Sequence, residues 1–158
     1  MPPTRDTPNL PVLPPFLYFI PFFAGVLLHH VVDGDRIPAS ALAAARGVGG
    51  ILVAIGVAIN VSAWIAFHRA RTPVMPTKPT TAIVIRGPYR FTRNPLYLSL
   101  ALIYLGAAVL LGYLWPLVFL PLAVFLISRL VIAREEAYLE GKFANEYLRY
   151  RDSVRRWL

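Results

Sequence analysis

Three stretches of this chain, residues 7–32, 47–67 and 94–128, contain no Asp, Glu, Lys or Arg. The hydrocarbon layer of a bilayer offers no water to backbone polar groups, so a stretch crossing it must satisfy its own amides as a helix. About 20 apolar residues make one crossing. The first two stretches match one helix each, over residues 16–32 and 41–67. The third is too long for one crossing and holds Gly112, Tyr113, Trp115 and Pro116 near its centre. It reads as a hairpin of two helices, Pro95–Leu111 and 115–132, each slightly short for a full span. Composition agrees: 57% hydrophobic and 15% charged residues leave too little polar surface for a soluble domain of 158 residues. The first stretch lacks the basic start and small-residue cleavage site of a signal peptide and reads as a retained helix. The expected fold class is an all-α integral membrane protein with about four transmembrane helices, the last two a hairpin, followed by a C-terminal amphipathic surface helix.

The net charge of +8 would point to nucleic acid in a soluble chain. Here its distribution has a simpler meaning. Residues 69–93 and 134–156 hold six Lys or Arg each, whereas the loop between the first two helices has Arg36 and Arg46 offset by Asp33 and Asp35. The hairpin turn has none. The positive-inside rule then puts both basic blocks and both termini in the cytoplasm, as four crossings allow. No nucleic-acid partner is expected. The absence of cysteine excludes disulfides, thiolate chemistry and cysteine-ligated metals. His29 and His30 lie at the far end of the first helix with no further ligands beside them, so no metal site is read.

The chain reads as one domain without repeats: N-terminal helices over 1–67, a cytoplasmic strap over 68–94, and the hairpin with its C-terminal helix over 95–158. Residues 1–15 are proline-rich and read as a loose lead-in. The strap carries Pro73, Pro76, Pro79 and Pro88, which forbid a continuous helix. Its β-branched residues 80–85 suit a short strand. Near the C-terminus Leu139, Phe143, Tyr147, Tyr150 and Val154 recur at helical spacing, which predicts one amphipathic helix weakened at Gly141. Asn60 and Ser62 inside the second helix read as packing contacts, and Tyr113 and Trp115 as interfacial anchors.

A two-helix hairpin returns the chain to the side where it started. The residues before it, "RGPYRFTRNPLY" (86–97), therefore meet the residues after it, "SRLVIAREE" (128–136), at one membrane face. Arg86, Arg90 and Arg93 suit an anionic group, Tyr89, Phe91 and Tyr97 suit a planar base or a cation, and Glu135 with Glu136 suits hydroxyls or a protonatable group. Such a pocket fits a polar cofactor from the cytosol meeting a lipophilic substrate from the bilayer. The plainer readings are that the arginines set topology and touch lipid headgroups, and that the aromatics anchor the interface. Arg129 then only snorkels.

These two segments, "RGPYRFTRNPLYLSLALIYLG" and "REEAYLEGKFANEYLRYRDSVRRW", resemble the membrane superfamily of isoprenylcysteine carboxyl methyltransferases and phospholipid methyltransferases. The shared pattern is G-P-Y-x-x-x-R-[HN]-P-x-Y, a helical hairpin, then a Glu-Glu pair and a spaced aromatic run. The resemblance spans residues 80–157. It implies methyl transfer from S-adenosyl-L-methionine to a lipophilic acceptor. By resemblance, Thr81, Ala82, Ile83 and Val84 supply strap contacts to the cofactor, Tyr89 is a cofactor-binding tyrosine, and Asn94, Pro95, Leu96 and Tyr97 form the tetrad at the mouth of the third helix. Glu135 matches a carboxylate tied to substrate recognition, with Glu136 beside it. We expect Glu135 and Glu136 as catalytic candidates, Arg93 on the cofactor carboxylate, and Arg129, Arg134 and Glu135 toward the substrate.

Three departures stand out. Asn94 replaces the usual His and cannot act as a base near neutral pH. Val131 stands where the carboxyl methyltransferases place an Arg. Ala144 stands where Gly is usual. The first two weigh against a prenylcysteine substrate more than against the cofactor. Two other classes stay open: a membrane reductase-like protein binding NADPH through a similar C-terminal half, and a small non-catalytic scaffold contacting anionic lipids.

Overall fold

The computed structural model describes residues 6–32 and 36–158. Six α-helices succeed one another: α1 (Phe16–Val31), α2 (Ala39–Arg69), α3 (Pro95–Leu111), α4 (Leu114–Ile127), α5 (Ala133–Phe143) and α6 (Asn145–Ser153). A 3-10 turn, Gly87–Arg90, precedes α3, and a π-turn, Ser128–Ile132, joins α4 to α5. Two helical rods are long and apolar enough to cross a membrane: Ala39–Arg69 and the continuous Leu114–Phe143. α1 and α3 are apolar but shorter, at 16 and 17 residues.

α3 packs along α2 on one flank, and α1 packs along α4. Close approach explains the first pairing. A Cβ on Gly106 would fall 2.7 Å from the Gly49 carbonyl oxygen, and one on Gly49 would fall 2.8 Å from the Gly106 carbonyl oxygen. Each glycine thus makes room for the other's backbone, as small residues do where apolar helices pack without help from water. The small-residue run of α2 is used within the chain at these points, while Gly47 and Gly50 face open space. Asn60 donates to Ser99 Oγ at 2.8 Å across the same seam, the packing role its position implied. The outward faces of α1 and α2 remain apolar and exposed, with Phe23, Leu27, Ile51 and Val61 among them.

The hairpin forms as expected at Gly112, whose φ of 74° ends α3 in the left-handed region that glycine enters without penalty. Ile37 N–H caps its carbonyl at 2.9 Å. Tyr113, expected as an interfacial anchor, stacks on buried His29 at 3.8 Å. Asp33 and Asp35 lie outside the described residues.

Three expectations need correction. Residues 80–85 form no strand; they are irregular, with a bend at Ala82 and no ladder partner among the described residues. The lead-in is not loose over residues 6–15: Pro8 and Pro14 are buried, and Lys142 Nζ holds the Asp6 carboxylate at 2.6 Å. The C-terminal helix is not separate from the hairpin. α4 continues into α5 through the π-turn, and the break comes at Ala144 rather than Gly141. Ala144 has φ 44° and ψ −121°, a conformation that a Cβ disfavours.

Two substitutions test this packing. Gly106→Val should splay α2 from α3 and lower stability in detergent by about 1–3 kcal/mol, the usual cost of overpacking. Ala144→Gly should relieve strain and raise it by about 1 kcal/mol. Thermal unfolding of purified protein measures both.

Candidate active site

The strap leaves α2 and closes on itself. Thr81 N–H donates to Thr72 Oγ1 at 2.9 Å, and the Thr81 hydroxyl donates to the Arg71 carbonyl at 3.1 Å. This turns Ala82, Ile83 and Val84 inward to line a cavity, while Thr81 stays exposed and outside it. Gly87 then opens the 3-10 turn with φ 63° and Pro88 fits its first positions. The turn buries Tyr89 edge-to-face on Phe67 at 5.5 Å. Burial holds the Tyr89 phenol well above its ordinary pKa, so it stays neutral.

The loop from Thr92 to Asn94 is templated by the end of the chain. Arg93 N–H donates to the Arg155 carbonyl at 2.9 Å. The Arg156 carbonyl accepts from Thr92 Oγ1 at 3.0 Å and from Asn94 Nδ2 at 2.9 Å. One amide donor of Asn94 is therefore engaged in holding the tail. Pro95 starts α3, buried and outside the cavity lining.

Glu135 and Glu136 sit in the first turn of α5, in the interior of the continuous rod Leu114–Phe143, so neither carboxylate meets a helix end. The apolar part of the long rod ends at Ala133, and both carboxylates stand beyond it. Tyr97 OH donates to Glu135 Oε1 at 2.7 Å, and Tyr18 OH donates to the Tyr97 carbonyl at 3.0 Å. Withdrawal from water raises the Glu135 carboxyl to about 7; the Tyr97 hydrogen bond opposes this and the Glu136 charge adds to it.

Glu136 is the centre of an ion cluster. Arg93 Nη2 lies 3.3 Å from its Oε1, and Arg156 reaches both of its oxygens. Arg93 is nearly buried, with 11% of its side chain exposed, and lines the cavity. Its Nε and Nη1 are buried without a hydrogen-bond partner. Buried polar groups are nearly always paired, so two open guanidinium donors in a cavity wall mark a place for an anion.

Ten sequence-predicted residues thus meet around one cavity: Ala82, Ile83, Val84, Tyr89, Arg93, Asn94, Leu96, Tyr97, Glu135 and Glu136. Arg129 and Arg134 do not join them. Arg129 is exposed and lies over the Phe125 ring at 5.6 Å, and Arg134 is exposed and donates to the Asn9 carbonyl at 3.0 Å. The substrate roles expected for both find no support in their placement. Sequence reasoning missed Pro8, which lines the cavity, and Tyr138, whose hydroxyl accepts Thr80 N–H at 3.2 Å and donates to Asp6 Oδ1 at 3.0 Å. Tyr138 was findable, being nearly one turn beyond Glu135 on the same helix.

The profile of the phospholipid methyltransferase family matches residues 44–146. The chain belongs to the phospholipid methyltransferase family. The match covers the strap, the hairpin and the Glu135–Glu136 pair, which are the parts that build the cavity. An uncharacterized protein from Haemophilus influenzae is 46% identical over 63 residues, which is all of that protein and 40% of this chain. No solved structure matches the chain. Three parts of the site lie outside the family match: the N-terminal segment with Pro8, Tyr147 and Tyr150 of α6, and the tail with Arg156.

Removing the Tyr97 hydroxyl should release Glu135 from the bond that favours its charged form. In Tyr97→Phe the carboxyl should protonate about one pH unit higher, the equivalent of one charge-assisted hydrogen bond. Infrared titration of the protonated carboxyl band, with Glu135→Gln to assign it, reads the shift.

Proposed function

We propose that this protein is an integral-membrane methyltransferase that uses S-adenosyl-L-methionine and methylates a lipophilic acceptor drawn from the bilayer. The observation that carries this reading is Arg93: a guanidinium in a residue that lines the cavity keeps unpaired, buried N–H donors that a carboxylate of an amino-acid-bearing cofactor would satisfy. The irregular strap lines the cavity at Ala82, Ile83 and Val84, where its backbone would contact the cofactor, and buried Tyr89 offers a neutral ring in the same lining.

When bound, the cofactor supplies a methyl group activated on a sulfonium. Displacement in line needs alignment and a dry site more than acid–base assistance. Strap, 3-10 turn and the Pro8 segment enclose the cavity and exclude water. Glu135, held by Tyr97 at the apolar end of the cavity wall, has a defined part only for some acceptors. A carboxylate arrives ionised and needs no base. An amine must lose a proton, and a carboxyl that titrates near neutrality at the membrane face can take it.

In this reading all four apolar helices cross the membrane, α1 and α3 within a locally thinned layer. Both basic blocks then face the cytoplasm together with the cavity and both termini. Membrane lipids surround the exposed apolar faces of α1 and α2.

Calorimetric titration in lipid nanodiscs tests the proposal. S-adenosylmethionine and S-adenosylhomocysteine should bind, Tyr89→Ala should weaken both at least tenfold, and NADPH should not bind. Binding of NADPH alone would favour the reductase reading. Absence of binding to well-folded protein would leave a lipid-contacting scaffold.

A further inference from the structure

Arg93 lies 3.3 Å from Glu136, yet the two do not close into a fork-to-fork pair; two of the three Arg93 guanidinium nitrogens are buried without a hydrogen-bond partner, in a residue that lines the cavity. A lone Arg and Glu enclosed together would normally pair bidentately. Arg156 accounts for the difference. Its Nε donates to Glu136 Oε1 at 3.1 Å and its Nη2 to Glu136 Oε2. Both Glu136 oxygens are thereby engaged from behind by a residue that does not line the cavity. The cluster of two guanidinium groups and one carboxylate keeps one net positive charge, and the cavity-facing arginine carries it.

We propose that Arg156 is a positioning residue for an anion subsite: by occupying Glu136 it leaves Arg93 free to bind the carboxylate of the cofactor. This rests on the cofactor reading above and adds to it a residue outside the family match. The geometry also says why the tail takes this path. The backbone carbonyls of Arg155 and Arg156 hold Arg93 and its neighbours in place, so one short stretch of tail both positions the Arg93 backbone and frees its side chain. These backbone contacts survive any substitution of the Arg156 side chain. The charge effect is therefore separable from the structural one.

The experiment compares two ligands that share the adenosine and thioether but differ in the amino-acid end, whose ammonium and carboxylate only the first carries: S-adenosylhomocysteine and methylthioadenosine. Binding is measured by calorimetry on full-length protein in nanodiscs, with thermal unfolding as the folding control. Arg156→Ala should weaken S-adenosylhomocysteine about tenfold or more, because Glu136 then captures Arg93, while methylthioadenosine changes less than about twofold. Adding Glu136→Gln to Arg156→Ala removes the competing charge and should restore most of the lost affinity. Arg156→Lys should fall between, since a lysine keeps the charge but not the fork. Equal weakening of both ligands, or no rescue by the double variant, would overturn the inference and leave Arg156 a structural residue. Failure of the parent protein to bind either ligand would overturn the cofactor reading itself and this inference with it. If Arg156→Ala does not fold, Arg156→Gln, close in size and able to donate, carries the same comparison.

Discussion

Glu136 is held by two arginines from distant parts of the chain, Arg93 before the hairpin and Arg156 after α6. The site depends on that three-charge cluster. A carboxylate at the foot of a cavity walled by apolar helices is costly unless paired and hydrogen-bonded. Meeting that cost draws the strap end, the first turn of α5 and the tail to one point. The same meeting leaves one guanidinium of the cavity lining with unpaired donors. A lone ion pair would have cancelled its own charge; the third charge leaves the cluster with one net positive charge.

The helices below supply the platform. Gly49 and Gly106 let α2 and α3 approach until backbone meets backbone, which fixes Asn94 and Tyr97 at the mouth of α3 relative to Phe67 at the end of α2. Tyr18 ties α1 into the same level through the Tyr97 carbonyl. The π-turn has a different role. It adds a residue to the turn and so rotates α5 by about 100° relative to an unbroken α-helix. That rotation sets which face of α5 turns toward the cavity, and Glu135, Glu136 and Tyr138 all line it. Ser128, bonded back to the Val124 carbonyl at 2.7 Å, sits where the widening begins.

Much of this was legible in the residues. The hairpin came from an uncharged stretch too long for one helix with Gly112 at its centre. Once the hairpin was read, the meeting of 86–97 with Glu135 and Glu136 came from connectivity. The proline spacing of the strap ruled out helix correctly, but its β-branched residues suggested a strand that has no partner; β-propensity describes fit to a neighbour, and none is there. The regular spacing of Leu139, Phe143, Tyr147 and Tyr150 suggested one surface helix. It hid the break at Ala144, because a positive φ is invisible in a residue that does not advertise it.

The sequence by itself determined the helical class, the helical segments and ten residues of the cavity wall, because long apolar stretches satisfy their backbone as helices and a hairpin returns the chain to the end where it started. Only the tertiary structure decided which arginines reach the glutamates. Arg129 and Arg134 are as basic and as near the glutamates in sequence as any residue, yet they point away. Arg156, twenty residues from Glu136, reaches it. Charge reads from composition, but direction depends on helix register, on one widened turn and on where the tail doubles back. Those are set by packing between distant segments, which no local pattern encodes.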